Sequence, residues 1–132
     1  MSNQVEALKY KKGEPIFCEG DKSGCAYIIE FGSVEVYKSL PNGERQFLGV
    51  LSQGDIFGEL GLIDGLPRSA TVRALDNCRI RKISGETFAL LAKKNPKALV
   101  PILKILTSRL RQTLRMVDNL ENKRAAPKGV PV

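Results

Sequence analysis

The sequence predicts a mainly β fold with flanking helices, in which a β-sandwich or barrel is followed by a long C-terminal helix. Turn residues recur at near-constant spacing, because glycines lie at positions 20, 32, 43, 54 and 65. Regular turns between β-rich segments are typical of all-β sandwiches and barrels. After Ile83 the apolar residues change to helical spacing, which places the helices behind the β-rich part.

Six segments rich in β-branched and aromatic residues are the predicted strands. The turn between two of them is marked by Pro41-Asn42-Gly43, a strong hairpin signal. The segments share turn chemistry and do not form a sequence repeat. The predicted strands are Pro15–Cys18, Ala26–Phe31, Val34–Lys38, Gln46–Leu51, Ala70–Ala74 and Arg79–Ile83.

Helical elements are predicted after the last strand. Ser84 is a predicted N-cap for a short helix that ends at Lys94. Asn95-Pro96 then restarts the chain, with the asparagine as a cap and the proline at the first helical position. Pro101 implies either a kink or a separate turn, with the long helix beginning near Pro101 and continuing to about Asn122.

Length and composition indicate one globular domain. A chain of 132 residues, of which 42% are hydrophobic and 27% charged, is large enough to bury a core. No apolar run reaches the length of a membrane span, and residues 1–12 lack the apolar core of a signal peptide. The sequence therefore predicts a cytoplasmic protein with no membrane partner.

The absence of histidine bears on catalysis and metal binding. Histidine is the commonest general base and a frequent metal ligand, and the chain contains none. Cys18, Cys25 and Cys78 lack metal-ligand spacing and are predicted to be reduced thiols, mostly packed in strands. The sequence predicts no catalytic residue and no metal site.

The formal charge of +7 raises the question of nucleic-acid binding. Aromatic residues make up only 6% of the chain and do not alternate with basic ones, as base-stacking surfaces require. Most of the excess charge falls on predicted helix, where a solvated face explains it. We therefore predict no direct nucleic-acid binding by this chain. The basic residues concerned are Lys93, Lys94, Lys97, Lys104, Arg109, Arg111, Arg115, Lys123 and Arg124.

The segment from Gly54 to Ala74 interrupts the β pattern and carries the residues of an anion site. Gly58 and Gly61 lack a Cβ and let the backbone approach a ligand, while the first N–H groups of a helical turn here would be unpaired. Arg68 can hold a phosphate bidentately. Glu59 beside an anion is explained if it accepts a hydrogen bond from a hydroxyl group. The alternative is a Glu59–Arg68 surface ion pair on a glycine-rich turn.

The motifs Gly-Glu-Leu at 58–60 and Pro-Arg-Ser-Ala-Thr at 67–71 resemble the phosphate-binding cassette of the cyclic nucleotide-binding domain family. That family includes bacterial catabolite activators, regulatory subunits of cyclic-nucleotide-dependent kinases and cyclic-nucleotide-gated channels. The resemblance runs from about Leu8 to Leu120 and implies a β jelly-roll barrel, also called a double-stranded β-helix.

The resemblance also implies a role for each cassette residue. Glu59 takes the ribose 2′-hydroxyl and Arg68 the cyclic phosphate. Backbone amides near Leu60, Gly61 and Ala70 complete the cradle, and Ser69 lies near the phosphate and the base. The candidate ligand-binding residues are Gly58, Glu59, Leu60, Gly61, Arg68, Ser69, Ala70 and, from the long helix, Thr113.

We therefore divide the chain into three parts. Residues 1–98 form the cyclic nucleotide-binding β-barrel with an N-terminal segment and the short helix. Residues 99–123 form a C-terminal lid or dimerisation helix, and residues 124–132 form a disordered tail.

A heptad pattern on the long helix predicts self-association. Leu99, Leu103, Leu106, Leu110, Thr113, Val117 and Leu120 alternate spacings of four and three, which is the seam of a coiled coil. Ile102 and Ile105 lie to one side and are predicted to pack on the barrel. The alternative is a single amphipathic helix that lies on the core. The predicted homodimer contacts are Leu99, Leu103, Leu106, Leu110, Val117 and Leu120.

Thr113 connects the long helix to the ligand. The segment Asn95–Leu120 resembles, without gaps, the long helix of the catabolite activators, in which the residue matching Thr113 hydrogen-bonds the adenine amino group. Leu114 departs from the polar residue that those activators carry next. The alternative role for Thr113 is to set the register of a coiled coil. Ser69 does not decide whether cyclic AMP or cyclic GMP is the ligand, whereas Thr113 favours cyclic AMP.

The sequence thus predicts a cyclic nucleotide sensor and not an enzyme. Cyclic AMP is the expected ligand, cyclic GMP binds more weakly, and no cofactor is needed. The alternative is a fragment of a cyclic AMP-responsive transcription regulator lacking its helix-turn-helix, because about ten residues follow the long helix. A small barrel enzyme is a further alternative, which metal-dependent turnover would reveal. The sequence does not identify the downstream protein partner.

Overall fold

Two four-stranded antiparallel sheets face each other in the computed structural model, which describes residues 5–121 and the side chains of residues 6–117. The strands are β1 (Val5–Tyr10), β2 (Pro15–Phe17), β3 (Cys25–Phe31), β4 (Ser33–Ser39), β5 (Arg45–Ser52), β6 (Ile56–Phe57), β7 (Thr71–Ala74) and β8 (Cys78–Ser84). One sheet has the order β1-β8-β3-β6 and the other β2-β7-β4-β5.

The predicted mainly β fold with a long C-terminal helix is confirmed, and each of the six predicted strands matches an observed one to within one residue at either end. Strands β1 and β6 were not predicted. Strand β1 pairs along its whole length with β8, from Val5 opposite Ile83 to Tyr10 opposite Cys78. Strand β6 is a two-residue pairing with β3. Both strands depend on distant partners more than on their own composition.

The helices are α1 (Glu59–Asp64), α2 (Gly85–Lys94) and α3 (Val100–Glu121), with a 3-10 turn at Pro96–Leu99. The Ser84 side chain accepts a hydrogen bond from the Thr87 backbone N–H, which confirms the predicted cap of α2. Asn95 instead closes the 3-10 turn with its backbone carbonyl, which accepts from the Ala98 N–H at 2.9 Å.

Pro101 follows the second of the two predicted arrangements. The 3-10 turn is separate, and α3 begins at Val100 immediately before the proline. A proline in the first turn of a helix removes an N–H group that would have no intrahelical partner. The proline therefore starts the long helix and does not kink it.

The core between the sheets is aliphatic except for three aromatic rings below the cassette. The Tyr27 and Phe57 rings stack with centroids 5.2 Å apart. The Phe17 centroid lies 5.7 Å from that of Tyr27 and 5.9 Å from that of Phe57. The largest fully buried aliphatic side chains are Ile29, Leu51, Ile80, Val34, Val36 and Val72.

Some sequence predictions fall beyond this description. The predicted disordered tail at 124–132 and the side chain of Leu120 lie outside the described residues. The division of the chain at residues 98 and 99 stays a prediction. None of the helices within the described range combines the length and apolar character needed to cross a membrane.

Candidate functional site

The cassette connects β6 to β7. It contains α1 and the loop that leads from α1 to β7. Gly58 precedes α1 with φ +79°, and Gly65 follows it with φ +71°, both in the left-handed region that favours glycine. In the described structure no side chain caps the start of α1. The first N–H groups of α1 are therefore available to a ligand.

Arg68 is held in place by two backbone carbonyls. Only 5% of its surface is exposed. Its Nη1 donates to the Gly58 carbonyl at 2.8 Å, and its Nη2 donates to the Cys25 carbonyl at 2.9 Å. A Cβ at position 58 would lie 2.8 Å from the Arg68 Nη1, so glycine is needed there for the arginine to approach. The guanidinium is thus positioned before any ligand binds.

Aromatic rings support the same guanidinium from below. The Arg68 Cζ lies 4.2 Å from the centroid of the Phe17 ring and 5.7 Å from that of Tyr27. Cation–π contacts of this kind are strongest where water is excluded. The Arg68 Nε is buried and has no hydrogen-bond partner among the described residues. One donor of the arginine is therefore left for another molecule.

Glu59 forms a buried ion pair with α3. Its Oε1 accepts from Arg109 Nη1 at 2.7 Å, and the side chains of the pair are 1% and 4% exposed. Arg109 also donates to the Ile56 carbonyl. The suggested Glu59–Arg68 surface pair is therefore wrong, since both residues are buried and Glu59 pairs with a different arginine.

Arg109 was assigned to a solvated basic face, and that assignment is wrong because its surface is only 3% exposed. The residue lies four positions before Thr113, and helical spacing places both on the same face of α3. The four-residue spacing between Arg109 and Thr113 is the sequence signal that could have placed Arg109 near the site. Charge alone could not distinguish Arg109 from exposed Arg111.

The environment of Glu59 disfavours its charged form. Burial raises the pKa of Glu59, and attraction to Arg109 offsets only part of that rise. Glu59 Oε2 is buried and has no hydrogen-bond partner within the described part of the chain. A hydroxyl group donating to this oxygen would stabilise the carboxylate.

The remaining cassette residues surround a small cavity of about 90 Å³, lined in part by Leu60, Gly61, Arg68 and Ser69. Ser69 is exposed. The Ala70 side chain is 2% exposed in the core, so only its backbone can meet a ligand. Pockets for small molecules usually measure about 300–1,000 Å³, so this cavity is smaller than a typical ligand pocket.

Gly61 has a different reason for lacking a Cβ than the sequence suggested. A Cβ there would lie 2.2 Å from the Ser23 Cβ. The Ser23 hydroxyl donates to the carbonyls of Gly61 at 3.2 Å and Leu66 at 2.6 Å. Gly61 therefore makes room for a serine that ties α1 to its following loop. Its own amide remains in the first turn of α1.

Thr113 lies half-buried on α3, one turn beyond Arg109. Its hydroxyl donates to the Arg109 backbone carbonyl at 2.9 Å. The structure thus places Arg109 and Thr113 on one face of the helix, and Arg109 reaches the cassette. Thr113 itself makes no described contact with the cassette.

The homodimer seam on α3 stays a prediction, and its described residues differ in exposure. Leu106 and Thr113 are half-buried with Ile102 and Ile105, while Leu114 is exposed. A seven-residue pattern alone does not say which of two overlapping rows docks on the barrel. The exposed apolar row consists of Val100, Leu103, Leu110, Leu114 and Val117.

Metal and thiol chemistry can be described for the same part of the chain. Among the described residues, no group of three or more histidine, cysteine or acidic side chains could hold a metal ion. The three cysteines are free thiols. Cys25 and Cys78 lie in strands, whereas Cys18 is exposed just after β2.

Comparison with known proteins gives a consistent result. The family model described as "Cyclic nucleotide-binding domain" matches residues 7–95. The chain is 38% identical over 113 residues to the cAMP-activated global transcriptional regulator CRP of Pasteurella multocida, covering 85% of this chain and 54% of that protein. The chain thus spans about half the length of the curated relatives it matches.

Two solved structures extend the comparison. The catabolite activator protein of Thermus thermophilus superimposes with a TM-score of 0.81 at 27% identity, covering 89% of this chain and 55% of that chain. The cAMP-bound form of the EAL enzyme Bd1971 superimposes with a TM-score of 0.64 at 36% identity, covering 89% and 32% of the respective chains.

Breaking the Glu59–Arg109 pair should destabilise the fold. Arg109→Met leaves a buried carboxylate without its cation, and we expect the free energy of unfolding to fall by about 3–5 kcal/mol. The double variant Arg109→Met with Glu59→Leu should recover most of that loss, because no buried charge remains. Urea denaturation measures both effects. Arg111→Met, an exposed arginine on the same helix, is the matched control and should change stability little. An equal loss in the single and double variants would contradict a pairwise interaction.

Proposed function

The chain belongs to the cyclic nucleotide-binding domain family, and we propose that it is a cyclic AMP sensor that couples ligand binding to movement of α3. The main support for this proposal is a pair of polar atoms that lack a hydrogen-bond partner. Within the described residues, Glu59 Oε2 and Arg68 Nε are buried without a hydrogen-bond partner. Buried polar atoms are rarely left unpaired, so each calls for an explanation.

The two atoms have complementary chemistry. Glu59 Oε2 is an acceptor and fits a ribose hydroxyl, whereas Arg68 Nε is a donor and fits a phosphate oxygen. The first amides of α1, at Leu60 and Gly61, and the amide of Ala70 would complete the phosphate cradle. Gly58 allows Arg68 to approach, and Ser69 stands exposed at the edge of the cavity. A cyclic nucleotide presents both a ribose hydroxyl and a phosphate.

The Glu59–Arg109 pair supports coupling to α3. A ribose hydroxyl at Oε2 would share the carboxylate that already holds Arg109 at Oε1. The nucleotide would therefore change the balance of charge around the arginine that attaches α3 to the cassette. A ligand that binds one position of the helix more tightly shifts the population toward it.

Thr113 supports cyclic AMP as the preferred ligand. Its hydroxyl hydrogen is engaged by the Arg109 carbonyl, so the oxygen offers acceptor capacity to a base. The adenine amino group is a donor, whereas guanine presents a carbonyl oxygen at the equivalent position. The cAMP-bound form of the related EAL enzyme is consistent with this choice.

The exposed apolar row on α3 supports a homodimer. Leu103, Leu110, Leu114 and Val117 recur at spacings of seven, four and three, as a seam between two helices requires. Arg109 lies on an adjacent face of the helix and contacts the cassette through Glu59. A dimer formed through this row would therefore pair two helices that each respond to a nucleotide. The originally predicted contact Leu106 would support the helix from the barrel side.

The alternative proposal is that this chain is the sensor part of a transcription regulator. The observation that favours it is that the matched relatives from Pasteurella multocida and Mycobacterium tuberculosis are named transcriptional regulators and extend to about twice the matched length. The matched EAL enzyme carries a domain of this type within a larger chain. We propose no catalysis by the present chain.

Arg68→Ala should weaken cyclic AMP binding by about 2–5 kcal/mol, which is thirtyfold or more in Kd. Isothermal titration calorimetry with cyclic AMP, and with linear AMP for comparison, measures the loss. Arg68→Lys keeps the positive charge but loses the planar guanidinium that can bind a phosphate bidentately, so it should also bind cyclic AMP weakly. Arg73→Ala removes an arginine paired with Glu35 outside the cassette and should bind normally. Circular dichroism must show folded protein, since Arg68 also holds two carbonyls. Unchanged affinity in folded Arg68→Ala would refute the cassette assignment.

Glu59→Gln should weaken binding of cyclic AMP while leaving 2′-deoxy cyclic AMP nearly unaffected. The charged carboxylate accepts a stronger hydrogen bond than an amide, and the deoxy ligand has no hydroxyl to donate. Titration of both ligands into both proteins forms a double-mutant cycle. If wild type binds the deoxy ligand as tightly as the parent, Glu59 does not hold the ribose.

Thr113→Val should remove most of a several-fold preference for cyclic AMP over cyclic GMP, about 1 kcal/mol for one net hydrogen bond. Thr113→Ser retains the hydroxyl and should retain the preference. Competitive titration of the two nucleotides measures the ratio. A wild type that prefers cyclic GMP, or a valine variant with unchanged selectivity, would show that Thr113 does not contact adenine.

Leu110→Glu combined with Leu114→Glu should convert a dimer into monomers, because it buries charge at the centre of the helix seam. Sedimentation equilibrium over a range of protein concentrations measures the change. Leu90→Glu alters an exposed leucine on α2 and should leave the dimer intact. Wild-type protein that stays monomeric at high micromolar concentration would exclude this dimer.

A further inference from the structure

A second and larger cavity lies at the opposite end of the barrel from the cassette. Its volume is about 790 Å³, and its walls come from β1, β8, the end of β3 and the adjoining loops. Strand β8 starts at this cavity with Cys78 and Arg79 and ends at Ser84, which is paired with Cys25 beside Arg68. At about 3.3 Å per residue, the two ends of β8 are about 20 Å apart. The two cavities share no lining residue.

A net positive charge marks this cavity. Lys9 and Arg79 are direct partners in the β1–β8 register, so two cations stand opposite each other on one face. Like charges at such positions destabilise a sheet. Within the described part of the chain, neither Lys9 nor Arg79 has an ion pair. Arg81, two residues after Arg79 on the same face of β8, is paired with Glu30. Lys11 adds a third cation to the lining. An anion bound among them would relieve the repulsion.

The carboxylates in the same lining cancel only part of that charge. Glu30 is paired with Arg81, whereas Glu14, which accepts the Lys11 backbone N–H at 2.6 Å, keeps its negative charge and offsets one of the three cations. The remaining excess lies with the cations, and arginine and lysine are the common partners of phosphate.

An exposed aromatic ring adjoins the cations. Phe31 is 64% exposed and lies opposite Arg79 in the β3–β8 register. The next residue, Gly32, has φ +93°, and a Cβ there would lie 2.6 Å from the Asn77 carbonyl oxygen and 2.8 Å from Cys78 Sγ. This close approach pins the turn against β8. The ring is therefore presented to solvent by rigid backbone, as a stacking surface for a planar group.

Asn77 supplies directional hydrogen bonding beside the ring. Its Oδ1 accepts from the Lys12 backbone N–H at 3.1 Å, which orients the side chain and leaves its amino group to donate elsewhere. The lining thus combines cations, an aromatic face and an amide donor in a volume within the usual range for small ligands.

We propose that this cavity binds a nucleoside phosphate, with its phosphates held by Lys9, Lys11 and Arg79 and its base stacked on Phe31. The Asn77 amino group donates to the base. The site is independent of the cassette and needs neither Glu59 nor Arg68. It accepts a linear phosphate chain, because the three cations line an open groove and not a closed cradle.

The test is a titration of 15N-labelled protein with ADP, with the cassette filled by a stoichiometric amount of cyclic AMP. Saturable shifts are expected at the amides of Lys9, Phe31 and Arg79. Arg79→Gln should weaken ADP and pyrophosphate at least fivefold. Phe31→Ser should weaken ADP at least threefold and leave pyrophosphate unchanged, because only ADP carries a base.

Exposed residues elsewhere on the barrel provide matched controls. Arg45→Gln and Phe47→Ser alter the exposed residues of β5 and should leave both titrations unchanged. No saturable shift at the three amides with millimolar ADP, or equal losses in the control variants, would overturn the site. Equal loss of pyrophosphate in Phe31→Ser would overturn the nucleoside assignment. Absence of cyclic AMP binding in the same samples would refute the cassette proposal alone, since the cavity shifts are read separately.

Discussion

The ion pair between Glu59 and Arg109 is the interaction on which the rest of the site depends. It joins the first residue of α1 to the middle of α3 and excludes both charges from water. A buried ion pair is weak evidence for stability, because desolvation of two charges offsets most of their attraction. The contribution of this pair is to hold α3 in position against the cassette. Breaking it leaves a buried charge, so α3 cannot leave the cassette without an alternative partner for Glu59.

Arg68 and Glu59 are prepared for a ligand in similar ways. Each is almost fully buried, each has some of its polar atoms paired with protein, and each has one atom that the described residues do not pair. Carbonyls of Gly58 and Cys25 orient the arginine, and Arg109 orients the glutamate. Such preorganisation lowers the cost of ordering side chains when a ligand binds. A nucleotide that paired both remaining atoms would offset the cost of their desolvation.

Helix α3 contributes residues to two surfaces, one against the barrel and one exposed. Ile102, Ile105, Arg109 and Thr113 form the face toward the barrel, and the exposed apolar row forms the other face. A rigid helix transmits a shift at one face to the other, because packed helices move as bodies and deform little. A nucleotide acting on Arg109 would therefore alter the surface that a second helix meets.

Much of the strand pattern, and the resemblance of the cassette motifs to the cyclic nucleotide-binding domain family, could be predicted from the sequence alone. Turn glycines and runs of β-branched and aromatic residues are local properties, so six of the eight described strands could be predicted to within one residue at either end. The cap at Ser84 is local in the same sense. The tertiary structure was needed to show that Arg109 belongs to the face of α3 that docks on the barrel, beside Ile102 and Ile105. Charge carries no local signal that separates a buried arginine from an exposed one, and for this reason the assignment of Arg109 to a solvated face is wrong. Strands β1 and β6 depend on pairing with β8 and β3, and the space at Gly61 is filled by Ser23, 38 residues away in the chain. Contacts of this kind exist only after the sheets have closed.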